Sequence, residues 1–204
     1  MTKSEARRAA ILHTASEVFR ELGFDRASMS DICTRVGYSK ATVYAYFSAK
    51  EELLVAIAMD ASAADAEAAR AALDGTSTEA PGAIGAALEH FGRHYLAHAC
   101  APETLAARRL ILAEAGRNHL GSQCYDLGPA QVVAALAARL HAAMDAGELR
   151  EAGSELAARH LLALFDAEWG ERLRYQADDL PSPEQRDASA ERAVAAFLSV
   201  YGTP

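Results

Sequence analysis

One stretch of the chain, SMSDICTRVGYSKATVYAYF from residue 28 to residue 47, constrains the fold more than any other. Apolar residues recur at helical spacing on both sides of Gly37, which can end one short helix before another begins. Ser28 and Ser39 stand just before these two apolar groups, where a hydroxyl group can cap the first turn of a helix. The spacing therefore predicts a helix-turn-helix.

The second of these helices is predicted over residues 40–47, and its outward face is small or polar. Its inward pair, Val43 and Phe47, is spaced four residues apart, so the other side chains must point away from the core. A helix this short can enter the major groove of DNA, and Lys50 opens the next helix where phosphates could sit. The outward surface is assigned to Lys40, Ala41, Thr42, Tyr44, Ala45, Tyr46 and Lys50.

The rest of the chain also favours helices. Of its 204 residues 48 are alanine, and sustained alternation of apolar and polar residues is missing, so the predicted fold class is all-α. Besides the two helices above, helical patterns occur over residues 6–22, 49–73, 84–99, 102–116, 119–127, 129–146, 154–176 and 183–201.

Residues 74–82 are rich in turn-forming residues and are the predicted domain boundary. We expect an N-terminal helix-turn-helix domain over residues 1–50, a connecting helix over residues 49–73, and a C-terminal domain over residues 74–204. Charge follows the same division. The first fifty residues hold eight Lys or Arg against five Asp or Glu, whereas the remainder holds twelve against twenty-three. A locally basic end on an acidic chain is expected where that end binds a polyanion.

No run of about 18 apolar residues occurs, and charges interrupt the first 19 residues, where a signal peptide would be apolar. We therefore expect a cytoplasmic protein without a membrane partner. Cys33, Cys100 and Cys124 are an odd number without CxxC spacing, which argues against a disulfide framework and a structural zinc site. No cofactor is predicted.

Residues 9–57 resemble the DNA-binding domain of the TetR family of transcriptional regulators. The turn glycine, the serine caps, the T-V-Y-x-Y-F run and the Lys-Glu-x-Leu helix start occur in that family's order. The chain departs from the family at Cys33, where alanine is usual, and at Tyr38, where a smaller aliphatic residue is common. The resemblance implies contacts to DNA backbone or bases by Ser28, Ser39, Thr42, Tyr44, Tyr46 and Lys50.

The stretch LAARRLILAEAGRNHLGSQCYDLGP and the later segment DAGELR are similar to the AefR-like subclass of C-terminal regulatory domains in the same family. In such a domain an effector pocket would need large aromatic side chains and nearby polar anchors. Core packing would use the same aromatic residues, and the pattern does not separate the two. The candidate effector residues are Phe91, His94, Tyr95, Arg109, Phe165 and Trp169.

Alanine-rich faces over residues 132–144 and in the helix after Ser154 suit close association between helices, either across a dimer or inside one chain. The candidate dimerisation residues are Val132, Leu136, Leu140, Leu161 and Phe165.

His90, His94 and His98 are spaced four residues apart, and a neighbouring pair could chelate a divalent metal. On a helical wheel they climb out of the apolar stripe, so they can equally line a pocket or face solvent. We predict no metal site. The chain has no GxSxG, HExxH, Walker or GxGxxG motif, so we also expect no enzyme.

The leading hypothesis is a homodimeric repressor that binds a pseudo-palindromic operator in double-stranded DNA and is released by a small hydrophobic or aromatic ligand. Three alternatives remain: a helical protein-interaction module, an all-α metal enzyme using the histidines, and a redox-responsive regulator using the cysteines.

Overall fold

The computed structural model describes residues 2–74, 83–116, 119–175 and 180–203. Among these residues the only strand-like pairing is an isolated bridge between Leu149 and Gly202, so the all-α prediction is confirmed. The helices are α1 (Lys3–Leu22), α2 (Met29–Val36), α3 (Lys40–Tyr44), α4 (Lys50–Asp74), α5 (Ala83–Ala99), α6 (Pro102–Glu114), α7 (Leu120–Leu127), α8 (Pro129–Asp145), α9 (Ser154–Asp166), α10 (Gly170–Arg174) and α11 (Pro183–Tyr201).

In two helical patterns the helix that begins as predicted ends more than two residues early. α3 ends at Tyr44 rather than at residue 47, although Phe47 still reaches the core at 5% exposure. The pattern over residues 154–176 forms two helices because Trp169 leaves helical geometry, with φ −121° and ψ −21°, just before Gly170. Glycine is a poor helix former, which favours a break at this point.

The chain divides into two compact units. The N-terminal unit holds residues 1–62 and 106–124, and the C-terminal unit holds residues 63–105 and 125–204. The predicted boundary at residues 74–82 lies, apart from residue 74, outside the described residues. The observed division falls within α4, and it assigns much of α6 and α7 to the N-terminal unit, whereas the sequence interpretation placed both in the C-terminal domain.

The N-terminal unit closes around one apolar core that includes residues of α1, α2, α3, α4 and α7. Ile32, Val43 and Leu53 are fully buried in it. Leu120 and Cys124 of α7 belong to the same core, which explains why a segment so late in the chain joins this unit. Burial of a side chain such as Val43 contributes about 1.5–3 kcal/mol to the free energy of folding. The inward residues of the short helix α3 therefore hold it in place.

In the C-terminal unit α8 packs against α9, and α11 packs against both α5 and α9. Phe91, Leu161, Phe165 and Phe197 are at most 1% exposed at the centre of this packing. α5 and α9 approach closely at Gly92, where an added Cβ would lie 2.4 Å from the ring of Phe165. The position therefore requires glycine unless the Phe165 ring shifts.

The segment DAGELR ends α8 and connects it to two other helices. Gly147 adopts a positive φ of 74°, as expected just past a helix end. The next carboxylate, that of Glu148, accepts a hydrogen bond from the Ile84 amide at 3.2 Å in the first turn of α5. The Arg150 amide donates to the Tyr201 carbonyl at 2.8 Å at the end of α11.

Candidate nucleic-acid interface and effector cavity

The first helix of the helix-turn-helix, α2, begins with a closed capping box. The Ser28 hydroxyl oxygen accepts from the Asp31 amide at 3.2 Å, and the Asp31 carboxylate accepts from the Ser28 amide at 3.0 Å. The Ser28 hydroxyl also donates to that carboxylate at 2.6 Å, and these hydrogen bonds lower the pKa of Asp31. Ser28 therefore fixes the start of α2, and its hydroxyl group donates to Asp31.

Gly37 and Ser39 set the turn between α2 and α3. Gly37 is left-handed, with φ 74° and ψ 15°, and its amide donates to the Cys33 carbonyl at 3.2 Å. The Ser39 hydroxyl oxygen accepts from the Thr42 amide at 3.1 Å and lies 2.8 Å from the Thr42 hydroxyl. Gly37 thus ends α2, and Ser39 caps the start of α3.

α3 presents the kind of exposed face that a recognition helix needs. Val43 is fully buried beneath the helix, whereas Lys40, Ala41 and Tyr44 are exposed, Tyr44 by 50%. Thr42 is half-buried beside the Ser39 cap. The structure thus brings the predicted outward residues of α3 onto one polar surface.

Tyr46 links the end of this motif to the start of α1. It is half-buried, and its hydroxyl lies 3.1 Å from the hydroxyl of Ser4. Ser4 and the neighbouring Lys3 are exposed in the first turn of α1. The sequence interpretation missed both residues, although a helix N-terminus beside a lysine is a recognised place for a phosphate group.

The ammonium group of Lys50 makes hydrogen bonds to other residues of the same chain. It donates to the carbonyls of Phe24, Asp25 and Ala27 at 2.8, 3.1 and 3.1 Å, and it lies 4.6 Å from the centre of the Phe24 ring. An ammonium group has three N–H donors, so these carbonyls occupy all of them. Lys50 thus joins the start of α4 to the link between α1 and α2.

Comparison with known proteins identifies the family to which this architecture belongs. Residues 11–57 match the profile of bacterial regulatory proteins of the tetR family, and residues 86–203 match that of the C-terminal domain of AefR-like transcriptional repressors. The second match alone covers more than half of the chain. The chain belongs to the TetR family of transcriptional regulators. Both resemblances inferred from the sequence are confirmed.

Individual relatives agree with this family. The HTH-type transcriptional regulator YvdT of Bacillus subtilis is 50% identical over 48 residues, which are 24% of this chain and 25% of YvdT. UidR of Escherichia coli, also an HTH-type transcriptional regulator, is 43% identical over 56 residues, 28% of this chain and 29% of UidR. The chain therefore spans only about a quarter of the length of these curated relatives.

Solved structures match over the whole length. A TetR-family regulator from Mesorhizobium loti superimposes with a TM-score of 0.87 at 27% identity, covering all of both chains. The flavonoid-responsive regulator FrrA gives a TM-score of 0.76 at 28% identity, covering 97% of this chain and 98% of FrrA. The predicted fold is thereby confirmed, and these relatives are regulators rather than enzymes.

In this TetR-family chain the five predicted dimerisation residues lie inside the C-terminal unit. Leu136, Leu140, Leu161 and Phe165 are 0% exposed, and Val132 is 7% exposed. A side chain that is buried in its own chain cannot be covered by a second copy. These five residues therefore hold α8 and α9 in the core, and a dimer face on the same helices must use their exposed neighbours.

The predicted effector residues lie in several different surroundings. Phe91, Tyr95 and Phe165 pack ring against ring, with ring centroids 5.8 to 6.0 Å apart, and the fully buried Phe91 and Phe165 fill the core rather than line an opening. Trp169 packs on a separate small apolar cluster of the C-terminal unit. Arg109 belongs to the N-terminal unit.

A cavity of about 250 Å³ lies between α4 and α5 within the C-terminal unit. His94, Tyr95 and His98 line it from α5, and Asp65 lines it from α4, with alanine side chains between them. His98 Nε2 lies 2.5 Å from the Asp65 carboxylate and 3.5 Å from the Thr104 hydroxyl. The cavity thus combines two imidazoles, a phenol and a carboxylate. Asp65 escaped the sequence interpretation because nothing local in α4 indicates its partner.

The predictions about metal, redox chemistry and membranes concern the histidines, the cysteines and the long helices. The rings of His90 and His94 lie 4.5 Å apart, and no group of three His, Cys, Asp or Glu side chains within the described ranges could hold a metal ion. All three cysteines are buried, and burial raises the pKa of the Cys124 thiol. In the parts of the chain that the structure describes, no helix is long and apolar enough to cross a membrane.

Proposed function

We propose that this regulator is a homodimeric repressor that binds a pseudo-palindromic DNA operator and leaves it when a small molecule binds the C-terminal unit. The observation that carries the proposal is the exposed face of α3, held over buried Val43 by the Ser39 cap. Two such helices, one from each copy, read two half-sites related by the dimer axis. The AefR-like repressor profile over residues 86–203 supports repression.

The roles of the DNA-facing residues follow from their exposure. Lys40, Tyr44 and Thr42 can contact base edges or phosphates from α3, and Ala41 leaves room for the approach. Ser28, Ser39 and Tyr46 position the motif and can also contact phosphates. Lys50 acts chiefly by holding the link before α2, because phosphate contact would require its ammonium to leave three carbonyl acceptors.

For the dimer we propose the groove between α9 and α11 as the face that meets the second copy. Ala163 and Ala196 line this groove and are exposed, and Val200 beside them is 54% exposed. Leu156, one turn before His160 on α9, is 56% exposed. Apolar side chains this exposed favour a protein partner, and small alanines let helices of two copies approach closely.

The dimer face is tested by Ala163→Arg, which places a charged side chain in the groove. Sedimentation velocity should show monomers and weakened operator binding, because one recognition helix holds only one half-site. Ala134→Arg, on the exposed side of α8, is the matched control and should remain dimeric. A dimer of Ala163→Arg with unchanged affinity would exclude this groove.

For the effector we propose the cavity between α4 and α5. FrrA is described as flavonoid-responsive, and a hydroxylated aromatic molecule suits alanine walls with His94, His98 and Asp65 as hydrogen-bonding groups. A ligand that separates His98 from Asp65 would bias the position of α4, the helix that begins at Lys50. Such a ligand regulates only if it binds the two arrangements with different affinity.

The effector site is tested with a panel of hydroxylated aromatic compounds that is screened for release of operator DNA. His98→Ala should weaken the response of an active compound at least about tenfold, the loss expected for a charged or strong hydrogen bond. His90→Ala is the matched control, because His90 does not line the cavity. An equal response of both variants and the parent protein would exclude the cavity.

DNA binding itself is tested by fluorescence anisotropy with a random duplex at low salt. The protein should bind with an affinity that falls as salt rises, and Lys40→Ala combined with Tyr44→Ala should remove most binding. Arg150→Ala, which removes a charge from the exposed surface of the C-terminal unit, should change little. No binding at low salt would favour the protein-interaction alternative.

The redox alternative receives less support from the described residues. Cys33, Cys100 and Cys124 are buried, and a raised thiol pKa leaves less of the reactive thiolate. A regulator of operator DNA works where that DNA is, so we place the protein in the cytoplasm.

A further inference from the structure

A second cavity, of about 240 Å³, lies wholly within the N-terminal unit between α1 and α6. Phe19 and Phe24 form one part of its wall, and their rings meet edge to face with centroids 5.3 Å apart. Leu110 of α6 adds a third apolar side chain. Sites for drug-sized ligands are commonly about 300–1,000 Å³, so this cavity suits a molecule with a single ring.

Two guanidinium groups line the cavity from its two sides. Arg20 comes from α1 and Arg109 comes from α6, and both are exposed at the opening. Several arginines of the chain pair with carboxylates, as Arg93 does with Glu191. Within the described residues Arg20 and Arg109 form no hydrogen bond or ion pair, although the pKa of the Glu21 carboxyl is lowered by its hydrogen bond to Arg35 and also by the charge of Arg20. Two such cations beside aromatic walls are suited to an anionic group, which guanidinium groups bind with directed hydrogen bonds.

The lining also contains a group that would reject a simple anion. Glu114 of α6 is 6% exposed and Ser16 of α1 is half-buried, and both line the same cavity. A carboxylate has about four lone-pair sites and can accept from a ligand donor in addition to other partners. The lining therefore favours a ligand that carries both an anionic group and a hydrogen-bond donor.

We infer that this cavity binds a small aromatic carboxylic acid that carries a hydroxyl or ammonium donor. The carboxylate binds Arg20 and Arg109, the ring packs on Phe19 and Phe24, and the donor faces Glu114. This site is separate from the effector cavity between α4 and α5, and binding to it does not depend on the proposed repression.

Phe24 connects this cavity to the DNA-binding motif. Phe24 lines the cavity, and its carbonyl and ring also hold the ammonium group of Lys50. The link from Gly23 to Ala27 leads into the capping box that starts α2. A ligand that packs on Phe24 therefore acts on the link that positions α2 within the same compact unit.

The inference is tested by isothermal titration calorimetry of the full chain with 4-hydroxybenzoate as the probe. We expect saturable binding with one site per chain that weakens at least about tenfold in Arg109→Gln, because a hydrogen bond to a charged group is lost. Arg20→Gln should weaken it similarly. Arg108→Gln is the matched control, because Arg108 neighbours Arg109 but does not line the cavity.

A second probe separates the anionic group from the ring. 4-Hydroxybenzyl alcohol keeps the ring and the hydroxyl but lacks the carboxylate, so it should bind at least about tenfold more weakly than the acid. His98→Ala should bind 4-hydroxybenzoate as the parent protein does, which distinguishes this site from the proposed effector cavity. No saturable heat up to millimolar probe, or equal affinity in Arg109→Gln, Arg20→Gln and the parent protein, would overturn the inference.

Discussion

In the N-terminal unit directed polar contacts hold the starts of α2 and α3 and the link before α2, whereas the centre of the C-terminal unit is packed by apolar side chains. Ser28 and Ser39 cap α2 and α3, and Lys50 fastens the link before α2. At the centre of the C-terminal unit Phe91 and Phe165 pack ring against ring. Directed contacts fix the orientation of a short helix such as α3, while apolar packing supplies stability without fixing a surface.

This difference separates the sites where a substitution costs stability from those where it costs function. A recognition surface needs side chains that are exposed, so each contributes little to folding. The core of the C-terminal unit contributes most to folding and contacts no DNA. Substitutions in the core of the C-terminal unit should therefore lower the free energy of unfolding, whereas substitutions on the exposed face of α3 should lower the affinity for DNA.

The largest expected effect is that of Phe165→Ala in the C-terminal core. Phe165 is 0% exposed, and removal of a buried phenylalanine ring costs about 3–5 kcal/mol of unfolding free energy. Urea denaturation followed by circular dichroism measures this loss. Leu112→Ala at an exposed position of α6 should cost far less in the same assay, and comparable losses in both variants would contradict the assigned core.

The next effect compares two lysines of the N-terminal unit. Lys50→Ala removes donors to three carbonyls and should lower the unfolding free energy by about 1–3 kcal/mol. It should weaken binding to all DNA sequences alike. Lys40→Ala, at an exposed position of α3, should leave the unfolding free energy within about 0.5 kcal/mol of the parent value. It should reduce the salt dependence of binding by the amount expected when about one phosphate contact is lost.

If Lys50→Ala proves as stable as the parent protein but lowers the salt dependence, its ammonium group binds phosphate and the carbonyl contacts are secondary. Thermal unfolding and salt titration of both lysine variants decide between the two roles.

A smaller effect is expected at matched glycines in the two units. Gly37 and Gly147 both have φ 74°, so alanine at either position should cost about 1–2 kcal/mol. Only Gly37→Ala should also reduce DNA affinity, because Gly37 sets the turn before α3. Equal loss of DNA affinity in Gly147→Ala would show that the units do not respond separately.

The smallest effect concerns pH. Hydrogen bonding to Arg192 lowers the pKa of Glu168 below its usual 4.5, with 2.6 Å between the closest atoms. A lowered folded-state pKa stabilises the protein above the unfolded value, and this contribution is lost as pH falls through the folded-state pKa. Because the pair is well exposed, Glu168→Gln should cost less than about 1 kcal/mol at pH 7.

Denaturation of Glu168→Gln and the parent protein across acidic pH checks this sign. The difference in unfolding free energy should shrink toward zero as the pH falls well below 4.5. A difference that grows on acidification would contradict the ion pair as its cause.

Local chemistry made part of the N-terminal unit predictable from sequence. A serine cap, a turn glycine and an inward pair act within a few residues, so α2 begins and ends where the sequence placed it. The partners of Lys50 lie 23 to 26 positions away in the chain, and no local pattern indicates them. The assignment of α7 to the N-terminal core has the same long-range cause.

The C-terminal unit was predictable in its helices but not in its surfaces. Leu136 and Leu140 repeat as a dimer face would, yet they are fully buried in one chain. An apolar stripe has the same spacing whether its partner is a helix of the same chain or of a second copy. The cavity beside Asp65 likewise depends on two helices meeting, which no single helical pattern reveals.

Selection of bound sequences from a random DNA pool tests the central claim, that α3 reads DNA as part of a symmetric dimer, most directly. The parent protein should enrich two inverted half-sites whose centres lie about 10 base pairs, or a multiple of that, apart. Protein carrying Lys40→Ala and Tyr44→Ala should enrich no such sequence, while Arg150→Ala should enrich the same one. Enrichment of a single unsymmetrical site, or the same inverted sites with the α3 variant, would contradict the claim.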